Sequence, residues 1–489
     1  MAKCTAVIDI GSNSMRLAVF QKTSRFAFHI LHEAKSSVRI SENAYKNGGF
    51  LQPDAMDRTA QALGEFLSAA KSFGARKIFC VATSAVRDAP NAAAFLSRIR
   101  REHALSIKVI SGEKEAYYGG IACVNLLPKV AEAISVDVGG GSSEFALLRN
   151  GKVERLYSLN IGTVRIKELF FDTGNISGAI AYIDEALENL PPFDAKTLIG
   201  IGGTFRALSR AQMKHENYPL NKLHAYTTDS DTFLRFTSQI SEAGTKKLKS
   251  LFIKSDRFDT IKPGALILER IIRHVQVKTL ICSGVGVREG VFLSDLLRNS
   301  GDTFPENYNP SVRYLLDTYA QHSTHAQQCA HLSKRLFDLV HMHLGIAPTY
   351  RHELAIAAKL LSIGIGIRYY AYQRHSHYLS MSALDYGLSH SQIALISHLL
   401  LFKKGHSSSD LLSPKGGYGS LLPNNATLDG LGALLWLSHI LLAARINASE
   451  IELRLEGNTL VINGKNLYLA REQLKNIILP KSLIVLLKE

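Results

Sequence analysis

The chain has 489 residues, of which 46% are hydrophobic and 20% are charged. This composition is typical of globular proteins and excludes disordered, fibrous and low-complexity classes, while the length allows about two to four domains. Lysine and arginine outnumber aspartate and glutamate by 57 to 42, which gives a formal net charge of +15. A balance this basic predicts a polyanionic partner or substrate.

Two features of the sequence bear on where the protein works. No uncharged apolar run approaches the roughly 20 residues needed to cross a bilayer, and the first residues lead into a strand pattern without the apolar core of a signal peptide. The five cysteines are scattered and never occur in Cys-x-x-Cys spacing, which argues against a disulfide framework or a thiolate zinc site. We therefore expect a cytoplasmic protein with no membrane segment.

Strand and helix patterns alternate up to about residue 300, which indicates an α/β fold. The predicted strands are rich in β-branched residues and are followed by Gly, Ser or Thr in most cases; they span 6–10, 77–82, 106–110, 134–138, 198–201 and 278–282. A helical period covers residues 56 to 70 and is preceded by Pro53 and Asp54, a typical helix start.

The pattern changes after the segment GDTFPENYNP at 301–310. Residues 311–400 are rich in Leu, Ala and His at helical spacing, and a further helix is predicted over 428–445. Short strand-like pieces follow near 451–455, 459–462 and 467–469. These differences place the main domain boundary near residue 305.

One segment near the N-terminus recurs 128 residues later in the chain. AVIDIGSNS (6–14) and ISVDVGGGS (134–142) share an apolar strand that ends in Asp, then one apolar residue, Gly, two small or polar residues and Ser. Each then runs into a second alternating apolar segment. The repeated unit of strand, Gly-rich turn and strand predicts a duplicated α/β lobe, with two matching turns that face each other across a cleft.

Three Gly-rich turns follow apolar strands. They are Gly11-Ser12-Asn13-Ser14, Gly139-Gly140-Gly141-Ser142-Ser143 and Gly200-Ile201-Gly202-Gly203-Thr204. Without side chains in the way, successive backbone N–H groups can converge on an anion. None of the turns matches a Walker loop or a dinucleotide fingerprint. One such loop is most often an ordinary tight turn, but three of them favour phosphate binding.

Three carboxylates flank these turns. Asp9 and Asp137 hold equivalent places at the ends of the duplicated strands, and Glu144 lies across the turn from Asp137. Hard oxygen ligands beside a phosphate-binding turn are what Mg²⁺ requires. The alternative is that Asp137 caps its own turn and Glu144 is a solvated strand residue.

The segment SGEKEA (111–116) lies between a predicted strand and the helix that it opens. A carboxylate in the first turn of a helix usually just complements the helix dipole. Strand ends in an α/β sheet face the ligand crevice, however, and a carboxylate there could deprotonate a water molecule for attack on phosphorus. The residues alone do not choose between Glu113 and Glu115.

Three arginines are candidates for binding phosphate. Arg87 follows the predicted strand 77–82, Arg16 lies just past the first Gly-rich turn, and Arg288 belongs to a Gly-rich segment at 284–290. A guanidinium group can hold a phosphate through two hydrogen bonds. Each of these arginines, taken alone, is more often a surface residue.

Histidines are concentrated in the helical region. Eleven of the eighteen lie between residues 322 and 406: His322, His325, His331, His341, His343, His352, His375, His377, His390, His398 and His406. Acidic partners at ligand spacing are sparse and no His-Asp dipeptide occurs in the chain. We therefore expect half-buried, hydrogen-bonded histidines and a pH-dependent basic face, not a metal centre.

Five motifs, in order, resemble those of the exopolyphosphatase and guanosine pentaphosphate phosphohydrolase (Ppx/GppA) family. They are VIDIGSNS (7–14), ATSAVR (82–87), ISGEKEA (110–116), VDVGGGSSE (136–144) and GIGGT (200–204). The resemblance implies the actin-like ATPase fold, with two ribonuclease-H-like lobes (1–123 and 124–302) around a cleft. It also implies that residues 310–489 form a mainly helical, HD-like C-terminal region with a short α/β tail.

The resemblance also implies roles for the candidate residues. Glu115 becomes the catalytic base, and Mg²⁺ is expected near Asp137 and Glu144, with Asp9 as a third candidate ligand. The expected phosphate-binding residues are Gly11, Ser12, Asn13, Arg16, Arg87, Gly139, Gly140, Gly141, Ser142, Ser143, Gly203 and Thr204. Where an HD domain carries its His-Asp pair, this chain has LLSIG (360–364), so the C-terminal region is expected to form a basic channel, a dimer interface or both.

The expected function is a Mg²⁺-dependent hydrolase of phosphoanhydrides. It would release terminal phosphate from guanosine pentaphosphate (pppGpp), from inorganic polyphosphate or from both, and no specific nucleic-acid partner is expected. One alternative is an ATPase or sugar kinase of the same fold. Another is a non-catalytic polyanion-binding protein. For assembly, a homodimer is the default expectation.

Overall fold

The computed structural model describes residues 3–402, 417–480 and 482–488. They form two compact units, Met1–Tyr308 and Asn309–Glu489. His406, one of the histidines noted above, lies outside the described residues.

The strands of the N-terminal unit are β1 (Cys4–Ile10), β2 (Met15–Lys22), β3 (Phe28–Ser36), β4 (Ala75–Ala82), β5 (Lys108–Val109), β6 (Glu132–Val138), β7 (Ser143–Arg149), β8 (Lys152–Leu159), β9 (Thr197–Ile201), β10 (Thr227–Asp229) and β11 (Thr279–Cys282). Its helices are α1 (Pro53–Ser72), α2 (Ser84–Arg87), α3 (Ala92–His103), α4 (Gly112–Leu126), α5 (Thr163–Leu169), α6 (Ile176–Leu187), α7 (Gly202–His215), α8 (Ser230–Glu242), α9 (Thr245–Ser250), α10 (Phe258–Val275) and α11 (Val287–Leu296).

The two sheets of this unit have the same strand order. The first runs β3-β2-β1-β4-β5, and the second runs β8-β7-β6-β9-β11 with β10 added at its edge. In each, the central strand is antiparallel to the strand after the Gly-rich turn and parallel to the strand after the first crossover. The repeated sequence unit is therefore the central hairpin of each sheet, and the duplicated lobe predicted from it is confirmed.

Apolar runs and turn residues explain these elements. β1 is buried along nearly its whole length, as expected for a central strand covered on both faces. α1 begins at Pro53, and Leu63 and Leu67 lie on its buried face against the first sheet. The predicted strand 106–110 is only Lys108–Val109, because it is an edge strand that pairs with β4 over two residues.

The proposed lobe boundary between residues 123 and 124 falls inside α4. Ala116 and Cys123 of this helix pack with Ala146 and Leu148 of the second sheet in one buried cluster. α4 therefore carries a segment of the first lobe's sequence across to the second sheet.

The C-terminal unit is mainly helical. Its helices are α12 (Pro310–Tyr319), α13 (Ser323–Val340), α14 (Arg351–Leu360), α15 (Tyr372–Ala383), α16 (His390–Leu399), α17 (Asn425–Leu441) and α18 (Tyr468–Leu474), and its strands are β12 (Glu452–Glu456), β13 (Thr459–Asn463) and β14 (Ile484–Lys488). The helices share one apolar core, which includes the single tryptophan, Trp436. No helix in the described parts of the chain combines the length and the apolar composition needed to cross a membrane.

One predicted strand in the tail is wrong. Leu467 is the N-cap of helix α18 and Tyr468 begins it, while the third strand of the small sheet is β14, parallel to β13. A short apolar run does not distinguish a strand from a helix turn. The buried Ala470 and half-buried Leu474 lie one turn apart and show the helical period only over a longer window.

Candidate active site

The two predicted Gly-rich turns lie face to face in the N-terminal unit. A β-carbon added to Gly140 would lie 2.6 Å from the Cβ atom of Ser12, in the turn of the other lobe. A β-carbon on Gly141 would collide with the hydroxyl groups of Tyr45 and Ser84. A side chain at either position would have to displace its neighbours in the first lobe, because the lobes approach each other so closely.

A cavity of about 130 Å³ lies between the turns. Twelve of the residues predicted for the site line it: Asp9, Gly11, Ser12, Asn13, Arg16, Glu115, Asp137, Gly139, Gly140, Ser142, Gly203 and Thr204. The structure thus brings together the three turns, which are up to 193 positions apart in the chain (from 11 to 204).

Four predicted residues do not line this cavity: Arg87, Gly141, Ser143 and Glu144. The Ser143 hydroxyl donates a hydrogen bond to the Ile161 carbonyl at 2.5 Å, so this side chain holds the turn in place. Arg87 and Glu144 lie just behind the lining, where each contacts residues of the site.

Asp137 and Glu144 are directly opposite each other on the paired strands β6 and β7. Glu144 is buried, and its Oε1 accepts hydrogen bonds from Ser142 at 2.5 Å and from Ser158 at 3.0 Å. Burial raises the pKa of Glu144 to about 8, and it is also the main reason that the pKa of Asp137 is raised. Both carboxylates are therefore held where ionisation is costly without a cation.

At the cleft, two buried carboxylate oxygens have no hydrogen-bond partner among the described residues. They are Oδ1 of Asp9 and Oε2 of Glu144. Burial, with a further contribution from Asp137, raises the pKa of Asp9 to about 6, although Arg288 acts in the opposite direction. Mg²⁺ binds hard oxygen ligands and is usually held by one or two carboxylates, with water in its other positions. The residues present therefore fit a Mg²⁺ ion.

The two glutamates of α4 have different surroundings. Ser111 caps the helix by accepting a hydrogen bond from the Lys114 backbone N–H. Glu113 is exposed, whereas Glu115 is only 8% exposed and lines the cavity. The phase of the helix therefore turns Glu115, and not Glu113, towards the cleft.

Arg87 is the partner of Glu115. Its Nη1 donates to the Glu115 carboxylate at 3.2 Å and to the Ile110 carbonyl at 3.2 Å, while its Nη2 lies 3.4 Å from the Ser142 hydroxyl. Burial and the charges of Glu144 and Asp137 raise the pKa of Glu115 well above its usual value, and Arg87 acts against this rise. A carboxyl group with a raised pKa is a stronger base once it is ionised.

Arginines bring positive charge to the cleft, opposite in sign to that of its carboxylates. Arg16, Arg206, Arg257 and Arg288 all line it. Burial and the neighbouring charges of Arg206 and Arg288 lower the pKa of Arg16 to about 10, and burial also lowers the pKa of Arg257. Several guanidinium groups along one cleft are a suitable site for a multiply charged anion.

Arg288 is held differently from the other three. Its guanidinium group lies 2.8 Å from Glu33 and also contacts Glu289 and the Leu17 carbonyl. Its charge is thus largely compensated within the protein.

Sequence reasoning missed three arginines of the site. Arg206 lies two residues past the third Gly-rich turn, just as Arg16 lies two residues past the first, so the same signal could have been used. Arg257 ends a short 3-10 helix and has no local signal. Arg165 donates to the Gly141 carbonyl at 2.8 Å and pairs with Asp88 at 3.0 Å, so it links the second Gly-rich turn to the first lobe.

Comparison with known proteins identifies the family. Residues 18–299 match the model of the Ppx/GppA phosphatase family, and residues 309–480 match that of Ppx/GppA phosphatase domain III. The chain belongs to the Ppx/GppA phosphatase family. The family suggested by the five sequence motifs is thus confirmed.

Curated relatives of this Ppx/GppA chain carry two kinds of name. Guanosine-5'-triphosphate,3'-diphosphate pyrophosphatases of Pseudoalteromonas translucida and Aeromonas salmonicida are 27% and 25% identical to it over 90% and 84% of its length, and 87% and 83% of theirs. A bifunctional 3-dehydroquinate synthase/phosphatase of Fusobacterium nucleatum is 30% identical over 57% of this chain. The match covers only 44% of the length of that relative.

Solved structures support the fold. The crystal structure of the Aquifex aeolicus Ppx/GppA family member is 29% identical, with a TM-score of 0.53 over 61% of this chain and 99% of that one. An exopolyphosphatase from Cytophaga hutchinsonii, 22% identical, gives a TM-score of 0.53 over 62% of this chain and all of its own. The predicted actin-like fold is confirmed by this likeness, and the family supports a phosphoanhydride hydrolase.

Proposed function

We propose that this protein is a Mg²⁺-dependent hydrolase that removes the terminal phosphate of pppGpp, of inorganic polyphosphate or of both. The observation that carries the proposal is the cleft itself, in which Glu115 lies beside buried carboxylates and facing arginines. Acidic groups for a cation and basic groups for phosphate are both needed for phosphoryl transfer to water.

In the proposed reaction, the phosphate chain would enter between the Gly-rich turns. Backbone N–H groups of Gly139–Ser142, with Arg16, Arg206 and Arg257, would bind its oxygens. Asp137, Glu144 and Asp9 would hold Mg²⁺, whose charge would offset that of the phosphate and favour the ionised carboxylates.

Glu115 would act as the general base. In its ionised form it would accept a proton from a water molecule whose oxygen attacks the terminal phosphorus. The bond from that phosphorus to the bridging oxygen breaks, and inorganic phosphate leaves along with the shortened chain. Arg87 would orient Glu115 and favour its ionised form, because it donates directly to that carboxylate.

A pair of matched variants tests the base. Glu115→Gln should lower phosphate release by about 10² to 10⁴-fold with Mg²⁺ present. Glu113→Gln, in the same helical turn but exposed, should leave it unchanged. If the two variants released phosphate equally well, the assignment of Glu115 would be wrong.

The choice of substrate needs a second experiment. Phosphate release from pppGpp, polyphosphate and ATP should be measured separately, followed by competition between pppGpp and polyphosphate in one reaction. The names of the full-length relatives favour pppGpp. Release from ATP alone would favour an ATPase or kinase, and tight binding of polyanions without release would favour a non-catalytic binding protein.

Two further expectations belong to the same proposal. All five cysteines are buried free thiols, which suits the reducing cytoplasm that we propose as the location. A homodimer remains a prediction, which light scattering of the full chain would test.

A further inference from the structure

Three side chains with metal-binding atoms meet in the C-terminal unit. His325 and Cys329 lie one turn apart on α13, and His439 comes from α17. Their ligand atoms all lie within 4.8 Å of one another, and the Cys329 Sγ is 3.5 Å from the His325 Nε2. None of the three has a part in the cleft of the N-terminal unit.

One of these distances, from the Cys329 Sγ to the His325 Nε2, already matches the geometry of a zinc site. Zn–S bonds of about 2.3 Å and Zn–N bonds of about 2.0–2.1 Å place sulfur and nitrogen roughly 3.6 Å apart in a tetrahedron. The sulfur and nitrogen of Cys329 and His325 are already at 3.5 Å. Imidazole and thiolate ligands together favour zinc, whereas Mg²⁺ favours oxygen ligands.

The surroundings leave room for a fourth ligand. A cavity of about 520 Å³ opens beside the cluster and is lined by both histidines, while Cys329 lies buried behind them. Tyr372 and Arg445 form part of the same wall. Three protein ligands with an open position are typical of zinc sites that keep a water molecule or a substrate.

We propose that His325, Cys329 and His439 bind one Zn²⁺ ion, with its fourth position open to the adjacent cavity. The ion would connect α13 to α17 through side chains. The segment at 360–364, where an HD domain carries its His-Asp pair, takes no part in it. The absence of Cys-x-x-Cys spacing does not exclude such a site, because a His and a Cys four residues apart lie on one face of a helix.

The test uses cobalt as a spectroscopic substitute for zinc in the full chain. Co²⁺ added to metal-free protein should give a thiolate-to-metal charge-transfer band with one ion per chain, and Zn²⁺ should abolish the band by displacement. An excess of Mg²⁺ should leave the band in place. This readout requires a sulfur ligand, so it is separate from Mg²⁺ in the cleft and from the hydrolase activity.

Variants assign the ligands. Cys329→Ser should eliminate the band, and His325→Ala and His439→Ala should each weaken zinc binding by more than about 100-fold in competition with a chromogenic chelator. His331→Ala, on the same helix but exposed, should bind as the wild type does. Circular dichroism should show that each variant keeps its helices.

Two results would overturn the proposal. One is the absence of a charge-transfer band in the wild-type chain, a measurement that does not depend on any variant folding. The other is a band that persists in Cys329→Ser, because another cysteine would then be the ligand.

Discussion

Both units of the protein bury ionisable groups, but burial raises the pKa of carboxyl groups in the cleft and lowers the pKa of histidines in the C-terminal unit. In the cleft, burial raises the pKa of Asp9 to about 6 and that of Glu144 to about 8, yet arginines lie close by and a cation could restore the charge. In the C-terminal unit, burial lowers the pKa of His398 to about 4, and that of His377 is lowered as well. These imidazoles simply remain neutral.

This difference distinguishes a ligand-binding cleft from the interior of a helical domain. Burial penalises the charged form in both units, but in the cleft buried carboxylates lie opposite one another and beside an arginine. Such an arrangement is costly in the free protein and becomes favourable when a cation and a phosphate chain complete it. His377 and His398 need no such partner, since each imidazole can lose its proton and remain neutral.

The largest effect should come from replacing one carboxylate of the cleft, which would weaken the binding of Mg²⁺. Asp137→Asn keeps the size of the side chain but removes a charge, so half-maximal activity should require more than about 10²-fold more Mg²⁺. Because the repulsion among buried carboxylates also falls, the thermal stability of the metal-free protein should not decrease.

Asp184→Asn provides the control for this measurement. Asp184 pairs with Arg270 on the surface and lies outside the cleft, so its loss should leave the Mg²⁺ requirement unchanged. A loss of stability in Asp137→Asn with no change in the Mg²⁺ requirement would assign Asp137 a structural role.

Acid should unfold the C-terminal unit through its histidines. The pKa of His398 is about 4 in the folded protein, below its usual value of 6.5, so the unfolded chain binds the proton more strongly. The stability that follows is fully present above pH 6.5 and is lost as the pH falls towards 4, by up to about 2 to 3 kcal/mol.

The single tryptophan allows this effect to be measured in the right unit. Trp436 donates a hydrogen bond to the Phe402 carbonyl, and the Phe402 ring contacts His398. Urea unfolding followed by its fluorescence should lose less stability between pH 6.5 and 4.5 in His398→Gln than in the wild type or in His331→Gln. Equal pH dependence in all three proteins would show that His398 is not the group responsible.

A smaller effect is expected from the contact between the Gly-rich turns. Gly140→Ala places a methyl group against Ser12 and must move one turn by part of an ångström. Misplacement on this scale can lower kcat/KM by up to about 10²-fold. Gly244→Ala, where nothing lies within 4 Å, should have normal activity. Normal kcat/KM in Gly140→Ala would mean that the turns tolerate separation.

Much of the cleft could be predicted from the sequence because its chemistry is local. The register of a hairpin fixes Asp137 opposite Glu144, and the pattern of strand, turn and strand already contains that register. Three such turns at strand ends then suffice to predict a phosphate-binding cleft. The positions of Asp137 and Glu144 thus follow from the few residues of one hairpin.

Other features depend on how distant elements pack, and these could not be predicted. The choice between Glu113 and Glu115 depends on the phase of α4 against the second sheet, so only the family resemblance separated them. Arg257 reaches the cleft from a short 3-10 helix with no motif. The three proposed zinc ligands span 114 positions (from 325 to 439), and their meeting depends on the packing of α13 against α17.

The smallest predicted effect concerns an arginine that the motifs did not indicate. Arg206 lines the cleft and donates to the carbonyls of Gly202 and Gly284, so it is held in place before any substrate binds. Arg206→Ala should raise KM about 10-fold, since one charge-assisted hydrogen bond contributes about 1.5 kcal/mol, and should weaken inhibition by inorganic phosphate to a similar degree. Arg206→Lys should recover part of the loss because it restores the charge without the planar fork. Arg210→Ala, one turn further along the same helix but exposed and outside the lining of the cleft, should change neither quantity. An effect on kcat alone would instead place Arg206 at the reacting phosphate and would make the arginines of the cleft unequal in role.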